Sequence, residues 1–513
     1  MTRIVVIGAG FGGLAAAVRL LAAGYQVTVV EALERPGGRA GYLELGPYRF
    51  DTGPTLITLP SLLDELCRLA ETSLENELEL VRLRPAYRIM FSDGTWFDYW
   101  GEPELDEAEI ARYDRAAVPA FRSYMTATRR IYERAFGDLA REPFDSLTSF
   151  LRVVPELLAL RAHESVYRFA GRFFREPHLR MVFSFHPLFI GGNPLRASAI
   201  YSIVPYLERL EGVHFARGGM RAVVLLLARL VEQLGGEIRY GSPVTRILTD
   251  HRGAVAGVAL ANGDLLPAKA VVANSDVATT VLDLLPPASR PQLLRLLLAR
   301  ARYSMSCYLL YLGVARRYEQ LRHHTIIMPL DYEQQLRELF DGNGTLSELA
   351  FYLHAPAHTD ATFAPPQHES LYILVPVPHL GKTGEWSAEQ RRAFRDRVLT
   401  TLEALHGLDG LREAITAQAE WTPMEFRDVL RSRHGAAFSL EPTLLQSAYF
   451  RPHNRSGIPG LYFVGAGTHP GAGLPGVLLS AAVTSRVLGE DIPPERDRLV
   501  LTAERIARER GTR

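Results

Sequence analysis

The first forty residues constrain the fold more than any other part of this chain. An apolar run, Ile4–Ile7, leads into a glycine turn that reads Gly8-Ala9-Gly10-Phe11-Gly12-Gly13, and an alanine- and leucine-rich stretch then continues to Gly24. A second apolar run ends at Glu31. This order predicts a strand, a tight turn, a helix and a second parallel strand. That is the unit in which a helix N-terminus faces the phosphates of a dinucleotide.

Each marked position in this unit has a predicted role. Gly8 permits the turn, Gly10 lets the backbone approach a pyrophosphate, and Gly13 brings the helix close to the strand. Glu31 places a carboxylate where it can accept hydrogen bonds from ribose hydroxyls, which disfavours the 2′-phosphate of NADP. The alternative is an α/β turn that binds nothing. We assign the following residues to cofactor binding: Gly8, Gly10, Gly12, Gly13 and Glu31.

The segment after Glu31 favours FAD over NAD. It reads Arg35-Pro36-Gly37-Gly38-Arg39. Two adjacent glycines let the main chain pass close to a bulky cofactor, and the guanidinium of Arg39 can pair with a pyrophosphate through two hydrogen bonds. The alternative is a surface turn that ends in an exposed arginine. Gly38 and Arg39 therefore join the predicted site.

Size and charge set broad limits on function. The 513 residues are enough for two domains, and the 57 basic side chains balance the 57 acidic ones. A neutral chain has no overall field that would attract nucleic acid, so we expect no nucleic-acid partner.

The two cysteines, Cys67 and Cys307, form neither a disulfide framework nor a metal site, and they suggest a reducing cytoplasm. The histidines show no metal-ligand spacing, and the adjacent pair His323-His324 is expected to diverge in a strand. We therefore predict no metal.

No segment reads as a signal peptide or a membrane span. The N-terminal apolar run is rich in glycine and ends at Arg19 inside an amphipathic helix. An uninterrupted apolar stretch of about 18 residues, which a spanning helix requires, does not occur in the sequence. We expect a cytoplasmic protein that is soluble or lies on a membrane surface.

Glycine-rich α/β patterns return twice further along the chain. Phe215–Met220 reads FARGGM, and Gly460–Gly473 contains a short apolar run and five glycines in all. We predict an α/β fold with a discontinuous Rossmann-like FAD-binding domain (GR2 type) and an inserted mixed α+β substrate domain. The predicted pieces are residues 1–100, 212–285 and 440–495 for the FAD domain, 101–211 and 286–439 for the substrate and membrane-associating domain, and 496–513 for a tail.

Several motifs resemble those of one enzyme family. GAGTHPGAGLPG within Gly460–Ser480, the preceding Phe450–Arg455, and HPLFIGGNP at 186–194 resemble the bacterial and fungal carotenoid desaturases. These are phytoene desaturases within the flavin amine-oxidase-like superfamily. The likeness extends from about Arg3 to Asp491. The N-terminal motif is shared by many flavoproteins, whereas the C-terminal motif is specific to this family.

The resemblance implies an FAD enzyme that introduces double bonds into a long polyene such as phytoene. The run Tyr462–Gly465, followed by a glycine turn and a helix, would direct a second helix N-terminus at the flavin. The resemblance adds the following residues to the cofactor site: Val244, Gly465, Gly467 and Gly473. Resemblance or loop position also suggests three residues for proton transfer, each with a structural role as the alternative: His186, Arg152 and His453.

The predicted substrate has a consequence for location. Each buried CH₂ gains roughly 0.8 kcal/mol on leaving water, so a long polyene must pass directly from bilayer to enzyme. We therefore expect peripheral contact with the inner face of a membrane. Residues 290–302, rich in leucine and arginine, are a basic amphipathic candidate for this contact. The alternative is a core-packed helix with solvated arginines.

Other members of the superfamily are rival interpretations. The nearest are carotenoid desaturases that act on hydroxyneurosporene or diapophytoene. More distant are a flavin oxidase acting on an amine or porphyrinogen, and a non-catalytic prenyl-protein chaperone, which the intact glycine motifs at both ends disfavour. The sequence leaves open the number of double bonds introduced, the isomer used, the electron acceptor and the oligomeric state.

Overall fold

A computed structural model describes residues 2–494 of the chain, and the predicted tail at 496–513 lies outside the described residues. The strands of the described part are, in chain order, β1 Arg3–Ile7, β2 Gln26–Val30, β3 Tyr42–Leu45, β4 Tyr48–Asp51, β5 Leu80–Arg82, β6 Tyr87–Phe91, β7 Trp96–Tyr99, β8 His214–Ala216, β9 Glu237–Arg239, β10 Val244–Thr249, β11 Val255–Leu260, β12 Leu265–Pro267, β13 Ala270–Ala273, β14 Ser306–Val314, β15 His324–Met328, β16 Phe351–His354, β17 Glu369–Val377, β18 Ile415–Trp421 and β19 Leu461–Phe463.

The α-helices of the same residues are α1 Phe11–Ala22, α2 Ser61–Leu69, α3 Leu74–Glu77, α4 Pro103–Tyr113, α5 Val118–Ile131, α6 Leu147–Ala159, α7 Val166–Ala170, α8 Pro177–Val182, α9 Val204–Glu211, α10 Gly219–Gln233, α11 Val277–Thr279, α12 Gln292–Arg300, α13 Tyr332–Asp341, α14 Leu380–Thr383, α15 Ala388–His406, α16 Leu411–Ala414, α17 Pro423–Asp428 and α18 Leu474–Asp491. No helix among these described residues is both long and apolar enough to cross a membrane.

A five-stranded parallel sheet gathers distant parts of the chain. Its order is β19-β13-β1-β2-β9, and all four pairings are parallel. The central strands β1 and β13 are almost entirely buried runs of isoleucine, valine and alanine, as expected for strands covered on both faces. Helix α1 packs against α18 and α10 beside this sheet. The predicted α/β fold is confirmed.

A seven-stranded sheet is the second large sheet of the fold. Its order is β18-β14-β17-β16-β15-β6-β7, with β6 and β15 parallel and the other neighbours antiparallel. Strands β6 and β7 lie within the predicted first piece, residues 1–100, yet they pair in this sheet because β6 aligns with β15 (Arg88 opposite Thr325). The chain therefore passes between the two sheets earlier than residue 100.

The remaining elements complete the frame around the two sheets. Strands β10, β11 and β12 form a small antiparallel sheet that starts at Val244. Residues 103–211 are mostly helical, and they contribute α4 to α9. Helix α12 covers most of the predicted amphipathic segment 290–302, and Leu298 is the one side chain it buries.

The prediction that His323 and His324 diverge is wrong. His323 lies just before β15, so the alternation of side chains along a strand does not apply to the pair. The centres of the two rings are 4.5 Å apart, and both side chains are buried.

Candidate active site

One large cavity connects the parallel sheet with the seven-stranded sheet. It has a volume of about 750 Å³, within the range of small-molecule sites. Its wall at one end consists of the glycine turn after β1, the segment after Glu31, and the loop that leads into α18. At the other end it is lined by leucine, isoleucine and phenylalanine side chains from the helical region and the larger sheet. The cavity thus has one polar, backbone-lined end and one long apolar end.

The turn after β1 has the geometry predicted from its glycines. Gly8 has φ of +95°, in the region that favours glycine, and a Cβ on Gly13 would lie 2.0 Å from the carbonyl oxygen of Gly8. Helix α1 begins at Phe11, and Phe11 and Gly12 line the cavity together with Gly8 and Gly10. The N-terminus of α1 therefore faces the polar end of the cavity.

The two ends of the chain meet at this turn. A Cβ on Gly12 would lie 3.1 Å from Cα of Gly465, and a Cβ on either residue would lie 2.6 Å from Oδ1 of Asn274. Asn274 follows β13 and lines the cavity. Its amide fills the space between the two glycine turns and links the three separate pieces of the fold. Sequence reasoning did not select Asn274, because nothing local marks an asparagine after a strand as a bridge.

Glu31 closes the first βαβ unit. Its Oε2 accepts from the N–H of Ala9 at 2.6 Å, and its Oε1 accepts from the N–H of Leu33 at 2.9 Å. Burial raises the pKa of this carboxyl, while these backbone hydrogen bonds act in the opposite direction. Glu31 lines the cavity, and each of its oxygens can accept a further hydrogen bond, so its role toward a ribose hydroxyl stays a prediction.

Arg39 stands at the same end of the cavity. Its guanidinium donates to Ser432 and lies 3.9 Å from Asp276 Oδ2. Within residues 2–494, no hydrogen-bond partner reaches its buried Nε. Gly38, beside it, has φ of +55° and lines the cavity. A cation with an unused donor next to a backbone-lined cleft is suited to an anionic group such as pyrophosphate.

The C-terminal loop forms the opposite wall. Helix α18 begins after Gly473, and Gly473 and the first residues of the helix line the cavity. Gly465 and Gly467 are not on the wall. A Cβ on Gly467 would lie 2.8 Å from Val277 and 3.0 Å from Ser439, so Gly467 packs the loop tightly from behind.

Arg451 holds this loop in place from the interior. It is 1% exposed, and its guanidinium donates to the carbonyl oxygens of Ala466 (2.6 Å) and Gln446 (3.1 Å). The motif Phe450–Arg455 therefore includes a buried cation that fixes the loop entering α18. Val244, the remaining predicted cofactor residue, is buried at the start of β10 and contributes to the cavity wall.

The three residues suggested for proton transfer do not line the cavity. Arg152 is exposed on α6, and half-buried His453 bonds through Nε2 to the carbonyl oxygen of Tyr449 at 2.8 Å. His186 is fully buried behind the cavity wall, and burial lowers its pKa to about 3. His186 is therefore neutral at pH 7. Its Nε2 lies 3.0 Å from the hydroxyl of Tyr87.

Glu208 is a carboxyl group on the cavity wall that sequence reasoning missed. It belongs to α9, it is 1% exposed, and Tyr87 donates to its Oε2 at 2.9 Å. Burial raises the pKa of Glu208 to about 8. In the described part of the chain its Oε1 has no hydrogen-bond partner. The helical pattern of 204–211 gave no signal that this acid faces inward, because its partners come from β6 and the 186–194 loop.

The apolar end of the cavity reaches the protein surface. Side chains that both line the cavity and are strongly exposed mark the opening: Leu158 (53%), Leu444 (43%), Leu445 (72%) and Phe450 (44%). Phe150 of α6 stacks on Tyr449 with ring centres 5.3 Å apart, so α6 and the 444–450 segment form one rim. We call this opening the mouth of the cavity. Apolar side chains line it and also form the protein surface around it.

The residues at the polar end fit FAD. Two helix N-termini point at the cleft, and glycines leave room that a Cβ would fill at Gly10, 2.9 Å from Asn274. Arg39 offers an unused donor, and Glu31 offers acceptors. Gly8, Gly10, Glu31 and Arg39 are positioned for the nucleotide half, and Gly473 with the start of α18 for the other half.

Comparison with known proteins agrees with this geometry. Residues 11–488 match the family of flavin containing amine oxidoreductases. The chain belongs to this family. Within it, the chain is 40% identical to the neurosporene-forming phytoene desaturase of Rhodobacter capsulatus, over 96% of this chain and 95% of that one. It is 41% identical to the lycopene-forming phytoene desaturase of Pseudescherichia vulneris, over 96% and 100% of the two chains. The predicted membership among the carotenoid desaturases is confirmed.

Solved structures of low sequence identity share the fold. An oxidoreductase from Methanosarcina mazei superimposes with a TM-score of 0.59 at 16% identity, covering 93% of this chain and 98% of that chain. The family match and the phytoene desaturases of about 40% identity make the chain an FAD-dependent oxidoreductase, as predicted.

Proposed function

We propose that this protein is a phytoene desaturase, an FAD-dependent enzyme that introduces C=C bonds into a long colourless polyene. The observation that carries the proposal is the single cavity that joins a dinucleotide cradle to a long apolar tunnel with an apolar mouth. Such a tunnel, lined mainly by apolar side chains, suits a long methyl-branched hydrocarbon. The phytoene desaturases of Rhodobacter capsulatus and Pseudescherichia vulneris support the same substrate class.

The chemistry is the removal of one hydrogen from each of two neighbouring carbons. One leaves with two electrons as a hydride and the other as a proton, so a C=C bond remains. Bound FAD supplies the hydride acceptor. The chain's own residues orient the polyene along the tunnel and exclude water from it. They also provide a group that takes the proton.

We infer that Glu208 takes this proton. It is a carboxyl group on the wall whose Oε1 has no partner among the described residues, and it lies close to the cofactor end. The ring of Tyr87, which donates to Glu208, is 6.4 Å from that of Phe189, and a Cβ on Gly473 would lie 3.1 Å from the neighbouring Ile190. A carboxyl with a pKa near 8 becomes mainly ionised, and so able to accept a proton, at mildly alkaline pH. His186 and Tyr87 then hold Glu208 in position.

The mouth is the proposed membrane-docking surface. We define this surface as α6, the 444–450 segment and α12. Gln446 ties the second and third parts together, because its side chain accepts from the N–H of Arg302 at 2.8 Å and donates to the carbonyl oxygen of Arg302 at 2.9 Å. Leu293 and Leu297 of α12 are 71% and 55% exposed. A polyene can enter the tunnel from a bilayer under this surface without crossing water.

The decisive experiment is turnover by the full-length, FAD-loaded protein on phytoene in liposomes. We expect visible absorbance from conjugated product, with the pigments separated by chromatography to count the double bonds. A parallel reaction offers a long-chain primary amine, the substrate class of the amine-oxidising relatives. Flavin reduction by the amine, with phytoene left unchanged, would contradict the proposal.

A further inference from the structure

A compact group of three histidines lies beside the cavity and takes no part in the proposed reaction. His323, His324 and His354 are 6%, 0% and 0% exposed. One ring nitrogen from each lies within 4.8 Å of one from each of the other two. We propose that these three imidazoles bind a divalent transition-metal ion of borderline softness, such as Zn²⁺.

The seven-stranded sheet brings the group together. His324 on β15 lies directly opposite His354 on β16, so their side chains share the sheet face that carries Tyr352, two residues before His354. His323 reaches the same face from the segment before β15, and its Nε2 lies 3.1 Å from Nε2 of His354. In tetrahedral coordination with Zn–N bonds of about 2.0–2.1 Å, two ligand nitrogens lie about 3.4 Å apart. The observed separation is close to that value.

Two of the three rings have outer hydrogen-bond partners of the kind that metal ligands have, whereas Nδ1 of His354 has none among the described residues. The hydroxyl of Tyr352 lies 2.7 Å from Nδ1 of His324, and that of Thr359 lies 2.6 Å from Nδ1 of His323. Outer partners of this kind fix the ring orientation and tautomer of ligating histidines, and leave the second ring nitrogen free for the ion.

The group also contains a nitrogen that needs a partner. Nε2 of His324 is buried, and among residues 2–494 nothing hydrogen-bonds to it. A buried ring nitrogen without a partner costs free energy, and an ion shared with the other two rings would satisfy it. A simple chain of hydrogen-bonded imidazoles does not explain this arrangement, because it is interrupted between His324 and His354.

The donor set defines the class of ion. Three neutral nitrogen ligands favour Zn²⁺, Ni²⁺, Co²⁺ or Cu²⁺ over Mg²⁺ or Ca²⁺, which prefer oxygen. An ion here would clamp β15 to β16 and fix Tyr352, whose hydroxyl also bonds Thr55 on the cavity wall.

The test measures metal directly rather than activity. Tag-free, full-length, FAD-loaded protein is stripped with a chelator, dialysed against Zn²⁺ alone, and analysed for bound zinc. We expect about one ion per chain in the wild type and in H251Q, which alters an exposed histidine. H324Q and H354Q are expected to hold less than a tenth of that amount.

A second variant guards against misfolding of these two. Y352F keeps all three rings but removes the hydroxyl that orients His324, and it should bind Zn²⁺ at least tenfold more weakly than the wild type. FAD content reports whether each variant is folded. Absence of zinc from the wild type, or equal zinc in H354Q, Y352F and H251Q, would overturn the proposal.

Discussion

Gly13 has a hydrogen atom where alanine has a methyl group, and this allows α1 to pack closely against the turn after β1. Replacement by alanine would put Cβ 2.0 Å from the backbone oxygen of Gly8, so α1 would have to move away from β1. Overpacking of this kind typically costs 1–3 kcal/mol, and here it also displaces the helix N-terminus from the cofactor. We expect G13A to melt several degrees lower and to retain less than a tenth of the wild-type flavin absorbance after purification.

The matched control for G13A is G137A. A Cβ on Gly137 would come no closer than 3.8 Å to the neighbouring atoms, so flavin content and melting temperature should stay at wild-type values. Equal flavin retention by G13A and the wild type would contradict the tight packing of α1 on the turn.

A second prediction at the residue scale concerns Glu208 and the change of folding stability with pH. Folding raises its pKa from an ordinary 4.5 to about 8, so the folded state favours the protonated form. Its contribution to stability is therefore fully present below pH 4.5 and is lost as the pH rises through 8. A shift of this size corresponds to on the order of 5 kcal/mol. In thermal melts, E208Q should lose less stability than the wild type between pH 5 and 8.5.

The control for E208Q is E104Q, which alters an exposed acid on α4. Its melting temperature should follow the wild-type curve. Parallel curves for all three proteins would show that Glu208 is not held in an unfavourable environment.

What the sequence predicts at the residue scale depends on how far apart the partners are. The roles of Gly8, Gly10 and Glu31 depend on neighbours within one βαβ unit, so their spacing reveals them. Asn274 and Glu208 acquire their roles from partners in other elements, such as Gly465 and Tyr87, which lie more than 100 positions away. Their local sequence resembles that of any loop or helix. The histidine group was missed for the same reason, since His354 joins the pair only through strand register.

At the scale of elements, the docking surface makes a prediction about membranes. Leu158 and Leu445 lie at the mouth, and Leu293 lies on α12. An aspartate at any of these positions would place a charge against the bilayer, so we expect L158D, L445D and L293D to bind vesicles at least tenfold more weakly than the wild type. Flotation with liposomes of mixed neutral and anionic lipid measures this binding.

The control for these variants is L265D. Leu265 is 61% exposed, but it lies on β12 in the small antiparallel sheet, away from the mouth. It should bind as the wild type does. If L265D weakens binding as much as L158D, the contact is not confined to the surface proposed here.

Elements were predicted well wherever their periodicity is local. The strand, turn and helix of the first forty residues and the helical region after residue 103 follow from apolar spacing alone. The pairing of β6 and β7 could not be predicted from apolar spacing, because a short strand with alternating burial can pair in either sheet. Only the register with β15 decides its place.

At the scale of the whole molecule, the cofactor site depends on the last described elements. Strand β19 pairs with β13, and α18 packs on α1, so both ends of the chain share one core. A chain ending at Pro459 lacks both elements and one wall of the cavity. We expect it to bind no FAD and to aggregate, whereas a chain ending at residue 494 should copurify with FAD. Flavin absorbance at equal protein concentration distinguishes the two, and FAD bound to the shorter chain would contradict this dependence.

The pairing of the first strand with parts of the chain made hundreds of residues later has a consequence during synthesis. While the last part of the polypeptide is still being made, the apolar face of α1 lacks α18, the later of its two helical neighbours, and the nucleotide cradle stands open on one side. Capture of the flavin must therefore follow release of the finished chain. The yield of flavin-loaded protein in a cell should therefore respond to the supply of free FAD after translation has ended.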